Sequence, residues 1–130
     1  MQQWQHGRPY DCSVYADAFL DHFRNPRGQG SLEDATHTAT ATDPACGDEL
    51  SLDLLVDEGV VTCARFRVRG CAGAIAAGSA LVSLLPGREA LPASVSRDEL
   101  EHVLGGVPRT KRHALRLALN TWAAALASGE

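Results

Sequence analysis

Two alternating segments joined by a short turn constrain this chain more than any other feature. Leu50, Leu52, Leu54 and Val56 take every second position of Glu49–Val56. After Asp57-Glu58-Gly59, the segment Val60–Arg69 sets Val60, Thr62, Ala64, Phe66 and Val68 on one face. A period of two with a turn this short predicts an antiparallel hairpin with one buried face. A hairpin returns the chain to its starting end. Cys46, just before the first segment, and Cys71, just after the second, then meet at one rim together with Asp48. Cys63 falls on the opposite face, beside Arg65, Arg67 and Arg69.

The remaining segments must cover the apolar face. Residues 1–9 read as a loose tail. From Tyr10 to Arg24 apolar residues recur at three- and four-residue steps, which predicts an amphipathic helix capped by Asp11 or Ser13 and stopped by Asn25-Pro26. Arg27–Gly30 reads as a loop. Thr36–Thr42 alternates threonine with small residues or His37 and predicts a strand at a sheet edge. Helix is expected from Ala72 to Leu85, ended by Pro86-Gly87, and Leu91–Ser94 is a connector. Ser96-Arg97-Asp98-Glu99 resembles a capping box opening a short helix to Leu104, closed by Gly105-Gly106. A last helix, Lys111–Ala127, aligns Leu115, Ala118, Leu119, Trp122 and Leu126. The expected class is α+β, one domain spanning residues 1–130, with a three-stranded antiparallel sheet and helices packed on one face. A chain of this size buries roughly two-thirds of its unfolded surface, so its core needs no covalent staple.

Charge narrows the partners. The net charge of −4 argues against nucleic acid, because phosphate binding relies on clustered Lys and Arg. The arginines at 65, 67 and 69 read as a solvated face, or else as a contact for a protein partner. The N-terminal residues lack the apolar stretch of a signal peptide, and Cys71–Leu85 is too short and too broken by Gly and Ser to span a bilayer. A cytoplasmic protein without a membrane partner is expected. Thiols stay reduced there, and loop or helix-start cysteines then point to metal or sulfur chemistry rather than disulfides. The chain has no Gly-rich phosphate loop, no serine nucleophile elbow and no paired acid/base glutamates.

Cys71 precedes a helix that opens on Ala72, Gly73 and Ala74, where backbone N–H groups favour an anionic sulfur and small side chains leave it uncrowded. The alternative is a buried structural cysteine. Cys46 lies in Pro-Ala-Cys-Gly-Asp, where Gly47 permits close approach of the backbone and Asp48 adds a hard oxygen donor. Two thiolates and a carboxylate make most of a tetrahedral zinc site; alternatively, Asp48 only caps a turn. His113, in the first turn of the last helix, is the first choice for a fourth donor, with an exposed helix-start histidine as the alternative. His37 is its rival, while His22 reads as a packing residue and His6 and His102 carry no argument. Cys63 and Cys12 read as bystanders.

Several of these stretches together resemble one family. Tyr15 to Arg27, with its Asn-Pro-Arg ending, is similar to the first helix and loop of the U-type iron–sulfur cluster scaffolds (IscU, SufU and the N-terminal domain of NifU). Pro44-Ala-Cys-Gly-Asp-Glu-Leu50 resembles their first cysteine motif, and Phe66 with Gly70-Cys-Ala-Gly-Ala-Ile-Ala76 their second. The resemblance implies the same α+β fold and a site holding Zn2+ or Fe, or a nascent [2Fe–2S] cluster. It also implies sulfur supplied by a cysteine desulfurase, delivery to recipient apo-proteins, and a monomer or weak homo-oligomer. Cys46, Asp48 and Cys71 fall on family ligand positions. The family's third cysteine, five residues after a proline, falls on His113 counting from Pro108. Histidine carries no persulfide, so sulfur acceptance falls to Cys46 or Cys71, while an imidazole still ligates zinc or iron. Gly106-Val-Pro-Arg-Thr110 stands where the IscU branch has its chaperone-docking Leu-Pro-Pro-Val-Lys. The resemblance therefore admits three readings: a cluster scaffold, a zinc-bound sulfur acceptor acting as a sulfurtransferase, and a non-catalytic regulator that binds the desulfurase. A fold merely stabilised by zinc stands beside them.

Overall fold

Glu58 and Gly59 both take positive φ (53° and 78°), the requirement of a two-residue hairpin turn whose twist matches its strands. The computed structural model describes residues 17–129. Around this turn it builds β2 (Glu49–Asp57) and β3 (Val60–Arg69) as an antiparallel pair, with β1 (His37–Thr42) on the outer side of β2. The helices are α1 (Asp17–Arg24), α2 (Ala72–Leu84), α3 (Arg97–Val103) and α4 (His113–Ser128), with 3-10 turns at Pro92–Ser94 and Arg109–Lys111. The expected α+β class is therefore observed. The tail, the helix start at Tyr10, the caps Asp11 and Ser13, and Cys12 and His6 lie outside the described residues.

One detail of β3 differs from expectation. Leu55 pairs with Cys63 but Val56 pairs with Val61, so Thr62 is an extra residue in the ladder. This bulge reverses the side-chain alternation. Val61, rather than Val60 or Thr62, is the buried residue, and Thr62 is exposed. Beyond it Leu50, Leu52, Leu54, Ala64 and Phe66 form the buried face as the period of two requires.

α2 and α4 cover that face, α4 lying chiefly on β1 and β2 and α2 on β3. Close packing depends on small residues. A Cβ placed on Gly78 of α2 would sit 2.6 Å from the Phe66 ring. Along β1, His37, Ala39 and Ala41 turn toward α4 and the threonines face away. Beyond β3 the loop after α1 continues the sheet edge: Phe66 N–H donates to Gly28 O (2.9 Å) and Gly30 N–H to Phe66 O (3.0 Å). The arginine face is only partly solvated. Arg67 pairs with buried Asp53 (3.1 Å), whose Oδ2 also accepts from Leu32 N–H (3.0 Å), so the two residues pin this loop. No helix among the described residues is long and apolar enough to cross a membrane.

His22 is a buried packing residue, as expected. Its Nδ1 lies 2.7 Å from the hydroxyl of buried Ser79, which accepts from Arg27 N–H (2.8 Å). Burial pushes the His22 pKa down and the Arg27 charge adds to this, while Asp21 opposes it. The neutral ring is thus favoured in the fold, and the unfolded chain binds the proton more readily. Stability is fully present above the unfolded value of about 6.5 and is lost as pH falls through the lower folded value. Urea unfolding should show this loss between neutral and mildly acidic pH, and His22→Gln should flatten it; an equally steep decline in the variant would assign it elsewhere.

Candidate metal centre

The hairpin's open end carries the site. The Asp43–Asp48 loop is closed by Asp43 N–H donating to Asp48 O (2.8 Å) and Gly47 N–H donating to Asp43 O (2.7 Å). Gly47 takes φ 78°, a left-handed conformation that suits glycine at this bend. The loop lifts Cys46 into solvent and turns Asp48 inward, where it is only 7% exposed. Cys71 is the N-cap of α2, but its thiol does not cap the helix. It donates to Asp48 Oδ2 (3.0 Å) instead, so the carboxylate and the thiol share one pocket.

α4 completes the arrangement. The 3-10 turn Arg109–Lys111 lays the Lys111 stem against Gly73, and Arg112 pairs with Glu101 of α3 (3.2 Å). Helix α4 therefore begins at His113, beside the start of α2. His113 Nε2 lies 3.7 Å from Asp48 Oδ2, is buried, and has no hydrogen-bond partner. Buried polar nitrogens are rarely left this way, since desolvation without a bond costs about 1–3 kcal/mol. One atom each from Asp48, Cys71 and His113 lies within 4.8 Å of the others, and Asp43, Cys46 and His113 form a second such set.

The electrostatics suit cation capture. Burial raises the Asp48 carboxyl, but hydrogen bonds from Cys71 and Cys46, the Cys71 N–H and nearby His113 outweigh it and hold the group below the usual carboxylate range. For Cys46 the Asp48 N–H favours thiolate. Desolvation and the Asp48 and Asp43 carboxylates together outweigh it and keep the thiol above its ordinary value. A cation entering here would replace thiol protons and relieve that repulsion.

Gly70 sets the position of Asp48. A Cβ at residue 70 would lie 2.6 Å from Asp48 Cγ and Oδ1, so any larger residue pushes the carboxylate out of line. Gly70→Ala is expected to weaken metal binding about 10- to 100-fold, the usual effect of losing a positioning contact. Competition against a chromophoric chelator measures this, with circular dichroism confirming the fold. Unchanged affinity would mean that Asp48 has room to adapt.

Of the expected donors, the structure brings Cys46, Asp48, Cys71 and His113 to one end of the sheet. His37 sits at the far end of β1, its ring against Gly129 and 2.8 Å from Thr36 Oγ1. Cys63 lies beside Arg65 on the polar face (3.3 Å), and His102 is exposed on α3. Sequence reasoning missed Asp43 as a candidate donor. The only available signal was its place before Pro44, which marks a turn but not where the carboxylate points.

The family described as the NifU-like N-terminal domain matches residues 14–128. The chain belongs to that family. It is 36% identical over 110 residues to the iron–sulfur cluster assembly scaffold protein IscU of Aquifex aeolicus, covering 82% of this chain and 70% of the relative. Against IscU of Escherichia coli it is 33% identical over 123 residues, covering 88% and 92%. Among solved structures it resembles the NifU-like N-terminal protein of Brucella abortus, with a TM-score of 0.75 at 20% identity over 88% of this chain and 93% of that one. A SUF-system scaffold candidate from Fervidobacterium islandicum gives 0.72 at 19% identity, covering 87% and 96%. At such identities the likeness speaks for the fold. The relatives place the chain in a family of iron–sulfur cluster assembly scaffolds.

Proposed function

We propose that this NifU-like domain binds iron or a nascent [2Fe–2S] cluster through Cys46, Asp48, Cys71 and His113, and passes it to recipient apo-proteins. The observation that carries the reading is the buried, unpartnered His113 Nε2 facing a carboxylate that a thiol already bonds. A cation satisfies all three groups at once. Two sulfurs anchor it, whereas the harder Asp48 oxygen exchanges more readily and keeps the cargo transferable.

Sulfur reaches the site as persulfide from a cysteine desulfurase. Cys46 is the accepting residue, being exposed, whereas the Cys71 thiol is half-buried and bonded to Asp48. The Cys46 thiol gives its proton to solvent and its sulfur attacks the terminal sulfur of the donor persulfide. A new S–S bond forms, the donor S–S bond breaks, and the donor leaves as a thiolate that takes up a proton, with no net oxidation. Anaerobic incubation with Fe2+, cysteine, a desulfurase and an excess of a thiol reductant, which supplies the electrons that turn persulfide sulfur into sulfide, tests the proposal. Sulfide-to-iron charge-transfer absorbance that requires Cys46 and Cys71 is expected. A folded protein that develops none would refute cluster assembly.

The donor set also supports a second reading. Two thiolates, one imidazole and one carboxylate satisfy tetrahedral zinc, and the domain then serves as a zinc-bound sulfur acceptor. Stoichiometric zinc on purification, with persulfide trapped on Cys46 by mass spectrometry, favours that reading; iron with acid-labile sulfide favours the first. A regulator that binds the desulfurase without metal predicts neither metal.

A further inference from the structure

The donors at this rim divide into two overlapping sets that share His113: Asp48 with Cys71, and Asp43 with Cys46. Burial orders them. Asp48 is buried and Cys71 half-buried, whereas Cys46 is exposed. Asp43 is not a loose surface carboxylate. Its Oδ1 accepts from Ala45 N–H (2.8 Å), and its main chain is bonded to Asp48 O and Gly47 N–H. Those bonds fix the direction of the side chain and leave Oδ2 available. Half-buried Asp43 and buried Asp48 thus each bring a carboxylate oxygen within 4.8 Å of the same imidazole, at different depths.

Resting on the metal-binding reading above, we infer that Asp43, Cys46 and His113 form an outer entry position for a divalent transition-metal ion. The ion arrives hydrated and exchanges water for the Asp43 oxygen, a hard and readily exchanged ligand. Cys46 and His113 then bind, and the Cys46 proton passes to solvent. The ion moves inward as Asp48 and Cys71 replace Asp43, with loss of the Cys71 proton. No change of oxidation state is involved. Asp43 is absent from the final set, and its role lies in the rate of loading.

Stopped-flow mixing with Co2+ tests this through the thiolate-to-cobalt absorption. Asp43→Asn keeps an acceptor for Ala45 N–H but removes the charge and the better oxygen donor. Asp43→Ser is a second variant that keeps an acceptor, and Asp57→Asn removes the same charge at the far end of the hairpin. The expected result is association slowed about ten-fold in both Asp43 variants, the low end of the effect that charge lining a site exerts on on-rates. The end-point spectrum should be unchanged, and Asp57→Asn should load at the wild-type rate. Wild-type rates in the Asp43 variants, equal slowing in Asp57→Asn, or a weakened end-point spectrum would each overturn the entry position. If wild-type protein develops no such absorption, the metal-binding reading falls and this inference with it. A normal wild-type spectrum with unaltered variant kinetics removes the inference alone.

Discussion

Cys71→Ser is expected to lower the affinity for Zn2+ or Fe2+ by about two orders of magnitude. Binding of structural zinc by four ligands is worth roughly 10–16 kcal/mol, so one ligand carries on the order of 3 kcal/mol; each ~1.4 kcal/mol is a factor of ten. Serine keeps the shape and a donor toward Asp48 Oδ2, which the thiol contacts at 3.0 Å, so the apo fold should tolerate the change. Chelator competition supplies the number, and Cys63→Ser, on the polar face beside Arg65, is the matched control. If both variants bind like wild type, Cys71 is no ligand. If both bind weakly, the loss is a general one of thiols or stability.

Phe66→Ala should be the most damaging single truncation in the sheet, costing about 3–5 kcal/mol. That is a large part of the roughly 5–15 kcal/mol by which a domain is stable. The ring is fully buried opposite Leu52 and lies under Gly78 of α2. The helix residue above it, Gly78, has no side chain with which to fill the space. The midpoint of urea unfolding measures the cost. A loss under about 1 kcal/mol would show that α2 collapses onto the strand. The effect reaches the site, because β3 runs on into Gly70 and Cys71, and a loosened strand frees the contact that holds Asp48.

The hairpin was legible because its alternation spans enough residues to exclude a helix, and the meeting of Cys46, Asp48 and Cys71 follows from its topology. The bulge was not. Val60, Val61 and Thr62 are all good strand formers, and the register is fixed by a two-residue turn whose positive φ at Glu58 no composition rule announces. His113 and His37 both had plausible places, and strand direction separates them: β1 brings Thr42, not His37, to the Cys46 loop. Asp43 was invisible as a donor because side-chain direction in a loop depends on backbone bends such as that at Gly47, not on any period. The C-terminal ends of the first three helices came within a residue or two, since Asn25-Pro26, Pro86-Gly87 and Gly105-Gly106 are local stop signals.

The sheet order has a consequence for assembly. The outer edge of β3 is taken by the chain's own Gly28–Gly30 backbone, which occupies both the N–H and the C=O of Phe66. Among the described residues β1 is therefore the strand with a free margin, and Ser128 Oγ accepts from Thr38 N–H at one end of it (3.2 Å). A polypeptide that lengthens this sheet, whether a client segment or a second copy, must align along Thr40 and Thr42. That places its backbone next to the Cys46 loop rather than at the distant turn.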